Sequence, residues 1–363
     1  MTQDNSAHTN CLDSLEKIQA IDKQNVLGSI KALADQVRQA WQETQSLEIK
    51  LATAPSNITV AGMGGSAIGA DVVKHAYKNE LTVPFNIVND YELPGYINKN
   101  SLVILSSYSG NTEEILSCAQ QAKEKKAQVL VITQGGKLTE LAKKNNYQGY
   151  IIKPDHNPSD QPRMAIGYAV VGLLGLLNKA GLIKINNNEI EEVIAVILAQ
   201  MCLCSVEQPV EENPAKTIAY TLVDRRPNLV ASEFLTGATH VACNQFNENS
   251  KTFANYYQVP EINHHLLEGL KLPFSNKNDN FFIFFNSQLY HLKNQKRISL
   301  TQEAVDKYEI ETMQIELKTQ AKLYQIFELI TLMAYATFYL SILNKINPSE
   351  VPMVDWFKKK LTE

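Results

Sequence analysis

Short apolar segments alternate with helical segments along most of this chain, beginning near residue 58. The first half predicts strands at 58–61, 85–88, 102–106, 129–133 and 149–153, and helices at 66–78, 113–126 and 163–180. Short apolar strands that are joined by helices of about a dozen residues form parallel sheets, and helices cover both faces of such sheets. The alternation therefore predicts an α/β fold, in which ligands bind beyond the carboxyl ends of the strands.

The second half repeats these element types without a clear sequence repeat. It predicts strands at 228–231, 281–286 and 312–317, and helices at 190–202, 233–243 and 319–344. We divide the chain into an N-terminal tail and helical arm (1–50), a first α/β domain (51–185) and a second α/β domain with C-terminal helices (186–363). A polar linker is expected at 186–188. In the arm, apolar residues recur at spacings of three and four, as on one face of a helix.

Hydroxyl side chains crowd the segment that follows the predicted strand 102–106. This segment contains Ser107, Ser109 and Thr112, and a helical segment starts directly after it. The N-terminus of a helix presents unpaired N–H groups and a partial positive charge, so it attracts anions. A single hydroxyl there is usually only a helix cap. Several hydroxyls in one turn favour a phosphate site instead.

A glycine-rich turn, 62–69, follows the first predicted strand. Glycines allow a ligand to approach the backbone closely, and Asp90 follows the next strand where a ribose-binding acid would lie. A nicotinamide-dependent dehydrogenase is therefore one alternative. However, the spacing G-x-G-G-x-x-x-G matches the dinucleotide fingerprint poorly and leaves the hydroxyl-rich loop unexplained. Two loops that converge on one phosphate explain both features.

Three further residues suggest proton-transfer chemistry. Glu248 lies in a predicted polar loop, and His264 follows sixteen residues later. A carboxylate and an imidazole are the usual pair for moving protons near neutral pH, although each residue alone is more often structural. Arg163 stands at the predicted start of a helix, an unfavourable place for a cation unless an anion lies nearby.

Composition and charge exclude several functional classes. The net charge is −4 and no basic stripe is present, so nucleic-acid binding is not expected. The five cysteines form neither a disulfide framework nor a zinc pattern, which predicts a reduced cytoplasmic setting and no metal. The longest apolar segments fall short of the ~20 residues that span a bilayer, so no membrane partner is expected.

The order and spacing of five motifs resemble the bifunctional phosphoglucose/phosphomannose isomerase family, a branch of the sugar isomerase (SIS) domain proteins. The motifs span residues 62–71, 107–114, 161–168, 247–251 and 260–264. The likeness runs from about residue 58 to the C-terminus, and the last three motifs are its most specific parts. The resemblance implies two SIS domains, each with a five-stranded parallel sheet between helices. It also implies a phosphorylated hexose as substrate and no cofactor.

The same resemblance implies roles for individual residues. The phosphate-binding set would be Gly64, Gly65, Ser66, Ser107, Ser109 and Thr112. Glu248 would carry the proton between C1 and C2 of the sugar, and Arg163 would stabilise the enediolate. His264 would open the sugar ring from the partner subunit of a homodimer, assisted by a C-terminal lysine, for which we choose Lys358 from the run 358–360.

The chain departs from the family pattern at two places. Residues 241–243 replace a basic, aromatic stretch, and Ser349 with Glu350 replaces a Thr-Pro pair. The second change bears on the mannose activity more than on the glucose activity. A phosphosugar sensor without catalysis is the alternative function: it needs the phosphate residues but not Glu248, His264 and Arg163, whose joint presence favours the enzyme.

Overall fold

The computed structural model describes residues 11–361 and 363, and it contains two parallel sheets. The first sheet has five strands in the order β2-β1-β3-β4-β5, and the second has four strands in the order β7-β6-β8-β9. Each sheet is flanked by helices, so the α/β prediction is confirmed. The expected fifth strand of the second domain is not found among the described residues, which corrects that part of the prediction.

The arm and the first sheet account for residues 15–179. The arm comprises α1 (Leu15–Ile21), α2 (Val26–Lys31) and α3 (Leu33–Gln45). The sheet and its helices follow as β1 (Asn57–Gly62), α4 (Gly65–Ala76), β2 (Phe85–Val88), β3 (Ser101–Ser106), α5 (Glu113–Glu124), β4 (Gln128–Thr133), α6 (Gly136–Asn145), β5 (Gln148–Ile151), a 3₁₀ turn (Pro162–Met164) and α7 (Ile166–Lys179). Strands β1 and β3 are buried along their whole length, as their continuous apolar sequences predict.

The second sheet is built from residues 226–317, and long helices lie around it. The elements are α8 (Asn187–Cys204), α9 (Pro214–Thr221), β6 (Arg226–Ser232), α10 (Thr236–Glu248), β7 (Asn255–Val259), a 3₁₀ turn (Glu261–His264), α11 (Asn276–Asp279), β8 (Asn280–Ser287), α12 (Leu292–Asp306), β9 (Glu311–Leu317), α13 (Lys322–Leu343) and α14 (Pro352–Leu361). Two of these positions correct the sequence interpretation. The expected linker at 186–188 is the start of α8, where Asn186 and Glu189 form a capping box, and Glu248 is the last residue of a helix rather than part of a loop.

Helix α13 forms the centre of the core. It contacts α8, α9 and α10, so it joins the elements on both sides of the second domain. Among the described residues it is the one helix long and apolar enough to cross a membrane, yet 94% of its most apolar window is buried inside the protein. The burial supports the prediction of a core helix and explains the apolar sequence without a membrane.

The arm packs on the first domain through a buried glutamine. Gln36 Nε2 donates to Met164 O at 2.9 Å, and Gln36 Oε1 accepts from Gly167 N at 3.1 Å. These bonds fix the turn that leads into α7. The turn carries Arg163, so the arm helps to position a predicted site residue.

Candidate active site

The two predicted phosphate loops lie side by side at the carboxyl edge of the first sheet. From β1 the chain crosses to β2 on one side, and from β3 it crosses to β4 on the other. The connections therefore diverge and leave a crevice between the carboxyl ends of β1 and β3, the usual ligand position in open parallel sheets. The loop 62–66 borders this crevice on one side and the loop 106–112 on the other.

Three of the predicted hydroxyls make hydrogen bonds at this crevice. Tyr108 N donates to Ser66 Oγ at 2.9 Å, so Ser66 keeps its own proton for a ligand. Ser107 Oγ and Thr112 Oγ1 lie 2.8 Å apart, and only one of them donates in that bond. The pair therefore also has a proton free for an anion. Ser109 is exposed and accepts from Asn111 N at 3.3 Å, so it stands at the rim.

Gly64 and Gly65 are each favoured over other residues for a different local reason. Gly64 adopts φ +48°, a left-handed conformation that favours glycine, and its α-carbon faces open space. At Gly65 a β-carbon would lie 3.1 Å from the Pro162 carbonyl and 3.1 Å from Arg163 N. Gly65 thus allows the phosphate loop and the Arg163 turn to touch.

Arg163 is buried and fully engaged by acceptors. Its Nε donates to Asn249 Oδ1 at 2.7 Å, its Nη1 to Gln161 Oε1 at 2.8 Å, and its Nη2 to Pro348 O at 2.6 Å and Ser349 O at 2.9 Å. Burial lowers the pKa of the guanidinium, and Glu248 opposes that effect. A guanidinium remains charged in such a position, so the site contains a fixed cation.

Glu248 lies against this cation. Its Oε2 is 3.5 Å from Arg163 Nη1, and about a third of its side chain (34%) remains exposed. Burial raises the pKa of Glu248 above its ordinary value, although the charges of Arg163, Lys251 and Lys358 act in the opposite direction. A carboxylate of raised pKa that still reaches solvent can accept a proton from a substrate.

A cluster that sequence reasoning missed joins helix α4, which follows the glycine-rich loop, to helix α10, which carries Glu248. His240 Nδ1 lies 2.8 Å from Asp71 Oδ2, and His75 Nδ1 lies 3.2 Å from Asp71 Oδ1. Burial alone would raise the pKa of Asp71, but hydrogen bonds from His240 and His75 bring it well below its ordinary value. Gly237 allows the helices to approach closely, since a β-carbon there would lie 2.6 Å from Asp71 O.

The fold places His264 and Glu248 of one chain at opposite ends of β7. Asn247 bonds to Ala254 next to the start of β7, whereas His264 follows the end of that strand. Five strand residues span roughly 16 Å, which exceeds the reach of a histidine side chain. His264 is exposed.

Lys358 lies on α14 and is also exposed. Its charge nevertheless lowers the pKa of Glu248, whereas no such effect is resolved from Lys359 or Lys360. Among the three lysines, Lys358 is therefore the one whose charge acts on the candidate base.

The corresponding crevice of the second sheet is filled by the protein itself. It lies between the carboxyl ends of β6 and β8, where the connections again diverge. Glu233, in the left-handed conformation at φ +47°, places its Oε1 2.8 Å from His291 N and 2.7 Å from Asn294 Nδ2. A carboxylate thus takes the place that an anionic ligand would take.

Comparisons with known proteins agree with this architecture. Residues 50–171 match the SIS domain family, and residues 211–361 match the bacterial phospho-glucose isomerase C-terminal SIS domain. A crystal structure of a hypothetical protein from Thermus thermophilus has a TM-score of 0.75, at 17% identity, and covers 98% of this chain and 95% of its own, which shows the shared fold.

Two curated relatives extend the match over most of the chain. The bifunctional phosphoglucose/phosphomannose isomerase of Caldicellulosiruptor bescii is 32% identical over 92% of this chain and 98% of its own length. The protein of the same name from Thermoplasma acidophilum is 30% identical over 85% of this chain and 90% of its own length. The fold, the hydroxyl-lined crevice and these relatives together show that the chain belongs to the bifunctional phosphoglucose/phosphomannose isomerase family.

Proposed function

We propose that this protein interconverts glucose 6-phosphate and mannose 6-phosphate with fructose 6-phosphate. The observation that carries the proposal is the position of the buried Arg163. Its guanidinium lies 3.5 Å from Glu248, and its backbone nitrogen borders the candidate phosphate loop at Gly65. A phosphosugar sensor has no need of a charged acid–base pair next to its phosphate site. Both curated relatives are named as isomerases, which supports an enzyme rather than a sensor.

The chemistry follows from the positions of the charges. Glu248 removes the proton from C2 of the open aldose phosphate and returns it to C1, which gives the ketose through a cis-enediolate. Negative charge grows on oxygen during this step, and the fixed guanidinium of Arg163 stabilises it more in the transition state than in the ground state. Glucose 6-phosphate and mannose 6-phosphate differ only at C2, so both give the same enediolate.

The proposal assigns ring opening to His264 of the partner subunit, with Lys358 assisting. The separation of His264 and Glu248 along β7 supports this assignment, because one chain does not bring them together. Helix α14 also supports a homodimer. It is a short amphipathic helix, yet none of its described side chains is buried within the chain. Its exposed apolar residues are Met353, Val354, Trp356, Phe357 and Leu361. A helix of this length is stable only when another surface covers its apolar face.

The first experiment measures conversion of fructose 6-phosphate by the purified protein, with glucose 6-phosphate and mannose 6-phosphate detected separately. Glu248→Gln is compared with Glu211→Gln, an exposed control. We expect both products from the control and neither from Glu248→Gln. Glucose 6-phosphate alone would limit the proposal to one epimer and implicate Ser349 with Glu350. Tight phosphosugar binding without any product would identify a sensor.

A subunit-mixing experiment tests the shared site. Glu248→Gln and His264→Ala proteins, each inactive alone, are mixed and allowed to exchange subunits. If His264 crosses the interface, mixed dimers regain one intact site and up to about a quarter of the activity of the unmixed native protein, since half of the chains are in mixed dimers and each such dimer has one of two sites. Demonstrated subunit exchange without recovered activity would refute the shared site.

A further inference from the structure

We propose that Lys251 is a positioning residue for the isomerisation: its ammonium holds the 347–350 loop on the end of helix α10, and that loop holds Arg163 beside Glu248. This inference rests on the proposed function. It concerns a residue to which the family resemblance gives no role, although Lys251 stands only three positions after the candidate base.

The ammonium of Lys251 joins two separate segments. Its Nζ donates to Asn347 O at 2.6 Å and to Asn249 O at 3.2 Å. Lys251 itself adopts φ +52°, a left-handed conformation that is uncommon for residues other than glycine. The turn at Lys251 and its two bonds therefore connect the end of the base-bearing helix to the 347–350 loop.

The loop passes this constraint to Arg163. Asn347 Oδ1 accepts from Ser349 N at 3.1 Å, which fixes the turn. The next two carbonyls, of Pro348 and Ser349, are the acceptors of Arg163 Nη2. They hold the far side of the guanidinium while Nη1 faces Glu248. Because a guanidinium is a rigid, planar fork, a shift of the loop also shifts the face that stabilises the enediolate.

Charges from three segments face Lys251. Lys251 is exposed at the surface, and partial burial of its ammonium lowers its pKa to about 8; the positive charge of Arg163 adds to that effect, and Glu350 and Glu248 oppose it. Below pH 8 the side chain is an ammonium, whose hydrogen bonds to carbonyls are stronger than those of a neutral amine. Above pH 8 the hold on Asn347 O weakens, so we expect activity to fall on the alkaline side.

The kinetic experiment uses three lysine variants at pH 7 and across pH 6–9.5. Lys251→Met is expected to lower kcat at least tenfold while KM for fructose 6-phosphate stays within twofold, because the phosphate loop is untouched. Lys251→Arg keeps the charge, so kcat should recover to within about threefold and the alkaline loss should move to higher pH. Lys345→Met, an exposed control two positions before the loop, should match the native protein. A kcat of Lys251→Met within twofold of native, with the alkaline loss unchanged, would overturn the proposal.

A second readout does not depend on catalysis. The chain has two tryptophans, of which Trp41 is 6% exposed and Trp356 is 55% exposed on the helix that the loop leads into. In a Trp41→Phe background, acrylamide quenching of Trp356 reports movement of the helix that follows the loop, whether solvent or the proposed second copy lies against that helix. We expect a quenching transition near pH 8 that disappears in Lys251→Met. If the native protein shows no isomerase activity, the proposed function fails, yet this transition still tests Lys251. A transition that persists unchanged in Lys251→Met would refute its hold on the loop.

Discussion

Replacement of Arg163 tests the electrostatics of the site directly. Arg163→Met removes the cation that lies 3.5 Å from Glu248 and leaves a shorter, apolar side chain. Without that cation the carboxylate is less favoured, so the pKa of Glu248 rises beyond the increase that burial already causes. Because the base is active only when ionised, the acidic limb of kcat/KM should move to higher pH.

The size of the shift follows from the distance. Two unit charges at 3.5 Å interact by about 1.2 kcal/mol at a dielectric of ~80 and by about 4.7 kcal/mol at ~20. Since 34% of the Glu248 side chain is exposed, solvent screening places the value near the lower end, at about 1.5 kcal/mol. This energy corresponds to about a tenfold change in the ratio of ionised to protonated Glu248 at a given pH. The loss of the fixed positive charge that stabilises the developing oxyanion should also lower kcat by about 100-fold.

The assay follows the formation of glucose 6-phosphate from fructose 6-phosphate at pH 5–9. Arg163→Lys retains the charge, so it should lower kcat but keep the acidic limb near its native position. Arg226→Met removes an exposed arginine that pairs with Asp279 and is the control for loss of one positive charge. Thermal melting confirms that each variant is folded. An acidic limb that stays at the native pH in folded Arg163→Met would refute the electrostatic reasoning.

Three further substitutions test the phosphate site and the packing. Ser66→Ala should raise KM for fructose 6-phosphate about tenfold and leave kcat within twofold, because one hydroxyl donor to phosphate is lost. Ser299→Ala, at an exposed serine, is the control. A KM of Ser66→Ala equal to that of the control would exclude Ser66 from the phosphate site. Lys216→Met should lower the free energy of unfolding by about 3 kcal/mol in a urea titration, because the fully buried ammonium donates to Asp13, Val206 O and Gln208 O. Lys184→Met, at an exposed lysine, is the control, and equal stabilities of the two variants would contradict the prediction. Gly175→Ala should lower the melting temperature, because the new β-carbon would lie 2.0 Å from Thr44 Oγ1. This clash should outweigh the preference of helices for alanine over glycine, which is ~1 kcal/mol. An increase in melting temperature would show that helices α3 and α7 separate without cost.

The sequence predicts the first sheet well because its central strands are continuous apolar runs. The strand predicted at 102–106 is Ser101–Ser106, and both flanking loops lie where the order of elements requires. The edge strand Asn255–Val259 has no such signal, since its polar and aromatic residues alternate between half-buried and exposed positions and only Val259 is buried. Helix Leu292–Asp306 was missed for a similar reason: it buries only Ile298, Thr301 and Val305, too few to produce a clear apolar period.

The same contrast holds within the candidate site. The roles proposed for Arg163 and Glu248 come from local motifs, and the structure brings these two residues together. The pairing of Asp71 with His240 spans 169 residues, and each is a single polar residue within a helix. No local pattern announces such a contact, because it exists only after two domains have packed. The hold of Lys251 on Asn347 is invisible for the same reason.

The carboxylate of Glu233 has a consequence for stoichiometry. An anion that belongs to the chain is present at its own receptor at a high effective concentration, and a free phosphosugar at cellular levels competes poorly with it. We therefore expect the second crevice to bind no phosphosugar, and each chain to take up one hexose phosphate rather than two. The second sheet thus has the same arrangement of its first four strands as the first sheet, with a carboxylate of the chain itself at the point where the connections diverge.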